Sequence, residues 1–336
     1  MKYPYELFTG DTAQDKELYL ALMKRFHPDL NGEDERFIEV SSKINKLYDE
    51  IVKGRIEGFL ECPGIVKFKS KDNKIYSMKY KIKHQIEIGC CYVGNESVLY
   101  IIDEEYDELA INAIKRINEL KYADDNMKHE FQKYMPEIKF NTKLINGKRA
   151  LAFKKEKELY SLRDILGYFK GSLDGRTVMW IMSSLYNICC FLNYNGVNHN
   201  GITVDNYYVS FNNHYGALLG GWWYSALENE KMMGVSSELY DLMDRKTKES
   251  KRSTYVLDLE GVRLIGRTLL GDPNGINLLS DKTLPEPLKR WLREISNDNP
   301  FDEYKKWSEV IDKSYGRRSF CRVEISDDFY NKLGGL

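Results

Sequence analysis

"MKRFHPDLNG", residues 23–32, closes one amphipathic run and leaves only a few residues before the next. The run before it, residues 15–26 ("DKELYLALMKRF"), sets Leu18, Leu22 and Phe26 on one stripe, with Tyr19 and Met23 beside it. That is the 3.6-residue period of a helix. Lys24 and Arg25 fall in its last turn, where cations complement the helix dipole. Pro28 disfavours the α conformation at His27 and stops the helix there. Asp29, Asn31 and Gly32 then supply turn chemistry. From about Asp34 to Ile51 the helical period returns through Phe37, Val40, Ile44, Leu47/Tyr48 and Ile51. Two such helices joined by a short loop bury their stripes as an antiparallel hairpin, and "YELF" at 5–8 adds apolar side chains to that small core.

Beyond the hairpin, "GRIEGFLECP" (54–63) carries the glycine and proline punctuation of a junction. Residues 73–102 are rich in Ile, Tyr and Val with alternation and glycine breaks, the pattern of strands. Residues 105–120 read as a helix. "EIKFNTKLINGKRALAFKK" returns to a hairpin turning at Asn146-Gly147. From about Arg176 helices dominate, in "TVMWIMSSLYNICCFLNYNG", "VLDLEGVRLIGRTLLG" and "PEPLKRWLREIS". A strand-rich half followed by a helix-rich half predicts a two-lobed α+β body. The expected divisions are 1–60, 65–175, 176–320 and a tail at 321–336. "DRKTKESKRSTY" (244–255) reads as a solvated loop.

The 336 residues are 42% hydrophobic and 30% charged, an ordinary globular composition. A net charge of −1 argues against a nucleic-acid binder that tracks phosphates. No run approaches the 18 apolar residues of a membrane span, and "MKYPYELFTG" lacks the apolar core of a secretory signal. The six cysteines include two adjacent pairs, Cys90-Cys91 and Cys189-Cys190, with no C-x-x-C spacing. They read as reduced small hydrophobes of a cytoplasmic protein, with neither a metal site nor a cofactor expected.

The helix–His-Pro-Asp–helix arrangement resembles the J domain of DnaJ-type co-chaperones over residues 3 to about 58. Tyr19, Leu22 and Phe26 precede His27-Pro28-Asp29, and "RFIEVSSKINKLYDEI" follows it. The resemblance implies that His27, Pro28 and Asp29, with the basic Lys24 and Arg25, engage a DnaK-type heat-shock chaperone and stimulate its ATP hydrolysis. Leu20 and Ala21 stand where the family often carries further basic residues. His27 is read as a contact residue, held at low entropic cost by a proline-stiffened turn.

A second resemblance begins at "GVNHNGITVDNYYVS" (196–210), which is similar to the catalytic loop of protein kinases in its H-G-D-x-K-x-x-N form. His199 matches the histidine and Asp205-Asn206 the end of the motif. Gly201 stands where the catalytic aspartate belongs, and Thr203 where a lysine often sits. In "NNHYGALLGGWWYS" (212–225), Gly221-Trp222-Trp223 replaces Asp-Phe-Gly, or Gly220 takes the aspartate position if the register slides by one. "EIGCCYVGNESVLYIID" (87–103) resembles the glycine-rich loop and the strands after it. Ile101 falls near the phosphate-pairing lysine, and Asn112 matches that lysine's glutamate partner. The resemblance implies a kinase-like fold lacking lysine, base and metal carboxylate, on which phosphoryl transfer depends. His199 is expected to brace the loop by hydrogen bonding, and Asn206 remains as a vestige able to help hold a metal. "LPEPLKRWLREIS" and "YGRRSF" (315–320) look like the closing helices of the second lobe. The combination resembles a group of bacterial and phage proteins that join a J domain to a degenerate kinase-like domain, the latter over about 65–320.

These readings together describe an adaptor that recruits a DnaK-type ATPase and offers its second domain to a client or partner. Two alternatives stand beside it. One is a nucleotide-binding protein or unorthodox phosphotransferase; the other is a phage or host interaction protein that uses the first domain only for docking.

Overall fold

The computed structural model describes residues 7–9, 11–32, 34–297, 299–316 and 323–335. The "YE" of "YELF", most of "YGRRSF" and Cys321 lie outside the described residues.

Helix α1 (Thr12–Phe26) starts earlier than its apolar stripe because Asp11 accepts hydrogen bonds from the Ala13 and Gln14 amides. Helix α2 (Glu35–Glu57) returns antiparallel to it. Their core joins Phe8, Ile44, Leu47 and Ile51 to Leu18, Tyr19, Leu22, Met23 and Phe26. Tyr19 stacks on Tyr48 at 4.1 Å and donates its hydroxyl to Asn45 Oδ1 at 2.9 Å. Val40, expected on the buried stripe, is exposed. Asp15 is fully buried, where Arg55 and the Thr9 backbone and side chain all donate to it.

The expected junction is not a loop. Helix α2 runs through Gly54 to Glu57 and stops on Gly58 in the left-handed region (φ +64°). Strand β1 (Phe59–Cys62) follows at once. Gly54 permits this: a Cβ there would lie 2.9 Å from the Phe59 carbonyl oxygen, so the strand folds back directly onto the helix. Strands β2 (Ile65–Lys69) and β3 (Ile75–Lys79) complete an antiparallel sheet in the order β1-β2-β3.

A second sheet, in the order β4-β5-β6-β8-β7, is wholly antiparallel. It comprises β4 (Ile82–Ile86), β5 (Gly89–Val93), β6 (Ser97–Ile102), β7 (Ile138–Lys143) and β8 (Arg149–Lys154). Its outer face, with Leu99, Ile101, Ala150 and Ala152, packs on Val66 and Phe68 of the first sheet. Its inner face, with Val98, Tyr100, Ile102 and Leu151, belongs to the main core shared with the helices. The period of 2 along β6 makes this division. Helix α3 (Asp107–Asn118) buries Ala110 and Ala113 in the same core, and a short α4 (Asp125–Phe131) precedes β7.

After β8 a short strand β9 (Tyr160–Ser161) and helix α5 (Leu162–Tyr168) lead into the helical half. Its centre is α6 (Gly175–Tyr194), which is apolar around most of its circumference and packs on two later helices. Small strands β10 (Val197–Asn198), β11 (Tyr207–Ser210), β12 (Tyr215–Leu218) and β13 (Ala226–Leu227) shape the loops that face the sheet. Helices α7 (Ser237–Tyr240), α8 (Arg245–Ser250), α9 (Tyr255–Leu269), α10 (Glu286–Trp291), α11 (Pro300–Tyr315) and α12 (Phe329–Lys332) complete the chain. Helix α8 replaces the expected loop because Asp244 caps the Thr247 amide at 2.6 Å. No helix of the described residues is long and apolar enough to cross a membrane.

Candidate functional site

The turn after α1 is built from its own side chains. His27 leaves the helix (φ −65°, ψ 131°) while its amide still donates to the Met23 carbonyl at 2.8 Å. Pro28 opens a single 3-10 turn, Pro28–Leu30. Asn31 Nδ2 donates back to the carbonyls of His27 (2.9 Å) and Arg25 (3.2 Å), satisfying groups the helix end leaves open. The Asp29 amide donates to His27 Nδ1 at 3.3 Å, so a neutral imidazole carries its proton on Nε2. Asp29 Oδ2 lies 3.6 Å from the same Nδ1, and that carboxylate is 77% exposed. Lys24 and Arg25 are exposed, with the Arg25 guanidinium over the Phe26 ring at 5.3 Å. Leu20, which the sequence reading placed where a basic residue was expected, is exposed, as is Leu30, which that reading did not single out. The turn therefore offers a carboxylate, an imidazole, two cations and two leucines on a pre-folded frame.

The second candidate lies between the sheet and the helical half. Asp258 of α9, fully buried, accepts the backbone amides of His199 (2.6 Å) and Asn200 (2.7 Å) and so fixes the 199–206 loop. Burial pushes its carboxyl up to about 7, against the pull of those two amides. The His199 ring packs edge-on against Trp222 at 5.0 Å. Neither ring nitrogen finds a hydrogen-bond partner among the described residues, and the ring approaches the Gly220 backbone without hydrogen-bond geometry. Burial pushes the imidazole down to about 3. The His199 amide bond to Asp258 and the packing of its ring on Trp222 hold the loop.

Asn206 turns its Nδ2 inward to the Gly201 carbonyl (2.8 Å) and Thr203 Oγ1 (3.1 Å). Asp205 faces Arg163 of α5 at 3.1 Å; burial pushes its carboxyl up, and Arg163 offsets this only in part. No group of three or more His, Cys, Asp or Glu side chains among the described residues is arranged to hold a metal.

The three glycines are closely packed. A Cβ on Gly220 would lie 2.6 Å from the Tyr100 hydroxyl and would collide with Asn206 Oδ1. At Gly221 (φ +80°) it would meet His199 Cε1 at 2.6 Å and Asn206 Nδ2 at 2.8 Å. At Gly201 the nearest atoms are the Gly221 carbonyl oxygen at 3.1 Å and the Tyr224 ring at 3.2 Å. The volume that a carboxylate would need at 220 or 221 is filled.

Ile101 needs a correction. The register of β6 turns it to the outer face, among Val66, Phe68 and Leu144. Tyr100, one residue earlier, faces the helical half and meets Trp223 edge-on at 5.0 Å. Asn112 is buried on α3, and its Nδ2 donates to the carbonyls of Trp223 (3.2 Å) and Ser225 (2.8 Å). It pins the tryptophan turn rather than facing a lysine.

The β4–β5 turn is only two residues long, since Ile86 pairs with Gly89. At its tip Glu87 accepts from the Tyr224 hydroxyl and from the Ser237 amide (2.9 Å). Burial alone would raise the Glu87 carboxyl, but these hydrogen bonds hold it below its ordinary value. His84 Nε2 lies 2.8 Å from Asp164 Oδ1 on α5, a second link between the halves. A cavity of about 190 Å³ remains, lined among others by Glu87, Arg163, Asp205, Asn206 and Glu238. Glu87 was missed because a glutamate in a hairpin turn carries no signal of its own.

No protein-family model matches the chain, and no curated protein sequence matches it. Among solved structures the chain is similar to vaccinia related kinase 3, with a TM-score of 0.46 and 15% identity over 82% of this chain and 85% of that one.

Proposed function

We propose that this chain is a J-domain co-chaperone whose second domain is a kinase-like body that does not transfer phosphate and serves as an adaptor. The observation that carries the reading is the His27-Pro28-Asp29 turn, with Asp29 exposed and His27 and Pro28 half-buried, pre-folded by Asn31 and the His27–Asp29 contacts between two packed helices. Contact groups held in place before binding lose little entropy on docking a DnaK-type ATPase.

The adaptor half rests on the order of elements and on what fills the cleft. A five-stranded sheet with α3 and α4 between its strands, then α5 and α6, then a loop anchored by Asp258, then the remaining helices is an order in keeping with a kinase-like chain. Tyr100 faces the cleft beside Trp223, and Gly201, Gly220 and Gly221 carry no carboxylate. The remaining cavity, about 190 Å³, is below the roughly 300–1,000 Å³ of ordinary ligand pockets. Its charged lining is Glu87, Asp205 and Glu238 against Arg163 alone, which repels a polyphosphate.

Immobilised full-length chain should capture a DnaK-type chaperone loaded with ATP, and Asp29→Asn should abolish the capture while leaving the melting curve unchanged. Equal capture by both proteins, or by neither, would refute the proposal. Capture without ATPase stimulation would favour a docking role alone.

A further inference from the structure

The net charge of −1 hides an uneven distribution. Residues 64–82, "GIVKFKSKDNKIYSMKYKI", hold six lysines and one acidic residue, Asp72. They form β2, the turn after it, β3 and the lead into β4. The strand alternation sorts their side chains. Val66 and Phe68 of β2, with Met78 and Tyr76 opposite them on β3, turn inward onto the second sheet. Lys67 and Lys69 therefore turn outward, and so does Lys79, which the register sets opposite Ile65. Lys71 and Lys74 flank the exposed turn at Asn73 (φ +63°), closed by the Ser70 amide on the Lys74 carbonyl at 2.9 Å.

Lysines of and around the second sheet are paired: Lys83 with Glu61 (2.6 Å), Lys148 with Asp103 (2.7 Å) and Lys143 with Asp107 (3.2 Å). Lys67, Lys69, Lys71, Lys74, Lys79 and Lys81 make no ion pair and no side-chain hydrogen bond among the described residues. Glu61, the acidic residue of β1, stands opposite Val66 and so faces inward, where it takes Lys83 and the Tyr92 hydroxyl. Lys67, Lys71, Lys74 and Lys79 are exposed, and Lys69 is half-buried. The outer face of the first sheet thus carries uncompensated positive charge.

Such a face does not suit every partner. Protein interfaces are anchored by aromatic residues and Arg and are poor in Lys. A membrane surface needs an apolar insert beside the basic residues, and Ile75 is the only exposed large apolar side chain of this sheet. Single strands need aromatic stacking, but Phe68 and Tyr76 are turned inward. Lysine point charges on an open face do suit the phosphates of a duplex, whose binding needs no base contact. We propose that Lys67, Lys69, Lys71, Lys74 and Lys79 make the outer face of the first sheet a sequence-independent docking surface for the phosphate backbone of duplex nucleic acid. This inference is independent of the chaperone reading.

Fluorescence anisotropy of the full chain with a short labelled duplex tests it. Affinity should fall about 500-fold between about 50 and 200 mM salt, the dependence expected of about five phosphate contacts. Lys67→Gln/Lys69→Gln/Lys79→Gln should melt as the wild type does and reduce the slope of log affinity against log salt by about three. Lys71→Gln/Lys74→Gln, confined to the turn, should reduce it by about two. Lys246→Gln/Lys282→Gln, on the helical half, should leave it unchanged. Duplex DNA and duplex RNA of scrambled sequence should bind alike, and both more tightly than a single strand. No binding at 50 mM salt, slopes that do not change in either sheet variant, or an equal loss in the helical-half control would overturn the proposal. So would tighter binding to the single strand, or binding only to phosphatidylserine vesicles. The salt slope and the duplex preference are read on the wild type alone.

Discussion

An aspartate at Gly220 would force its Cβ to within 2.6 Å of the Tyr100 hydroxyl and against Asn206. Placing a carboxylate there is therefore an overpacking substitution before it is a chemical one. Gly220→Asp should cost about 1–3 kcal/mol, read as a lower urea midpoint, and should yield no phosphate transfer. Two buried titratable groups give a pH signature. Asp258 is pushed up to about 7, so between about pH 4 and 7 the folded chain holds a proton that the unfolded chain has lost. Stability from this group falls as pH rises through that window, by at most about 1.4 kcal/mol per pH unit. Lys155, buried where β8 leaves the sheet, donates to the Glu156 carbonyl at 2.8 Å, and burial pushes it down to about 7. The unfolded chain binds the extra proton between about pH 7 and 10.5, so stability from this group rises with pH there. Asp258→Asn should flatten the acid limb of the stability profile and Lys155→Met the alkaline limb, each measured by urea melts at unit pH steps. Unchanged slopes would count against the assigned causes. At this scale the glycines at 201, 220 and 221 were legible without coordinates, and their close packing was not. The face of Ile101 was not, because a one-residue register in a strand with both faces buried leaves no alternation to read.

Helices were the most legible elements, since Leu18, Leu22 and Phe26 in α1 and the long apolar run of α6 carry the period directly. Strands β1 and β2 were not: four- and five-residue segments joined at Pro63-Gly64 look like punctuation unless the sheet they cover is known. The last helices are held by a buried pair no pattern announced. Arg263 of α9 bonds Glu303 of α11 at 2.6 Å, donates to the Trp291 and Glu294 carbonyls, and lies 4.2 Å from the Trp291 ring centre. Both side chains are fully buried. Glu303→Leu should cost about 3–5 kcal/mol by leaving the guanidinium unpaired, whereas Arg263→Met/Glu303→Leu should recover much of it. A double variant no more stable than the single one would show that the arginine contacts to the carbonyls, rather than the charge pair, hold these helices together.

Across the whole molecule, a turn that presents an exposed Asp29 contrasts with a cleft narrowed to a cavity of about 190 Å³. Glu87 on the β4–β5 turn grips Tyr224 and Ser237, His84 meets Asp164, and Tyr100 lies against Trp223. Ligand that binds only the native state must raise its stability, by about 2.7 kcal/mol at a hundred times its Kd. ATP with magnesium at millimolar concentration should leave the melting temperature unchanged, and a concentration-dependent rise would revive the nucleotide-binding alternative. The most direct measurement is steady-state ATP turnover by a DnaK-type chaperone with the full chain, wild type against His27→Gln. Wild type should stimulate turnover, and His27→Gln, with an unchanged melt, should not. Equal stimulation by the two, or none by either, would contradict the co-chaperone reading.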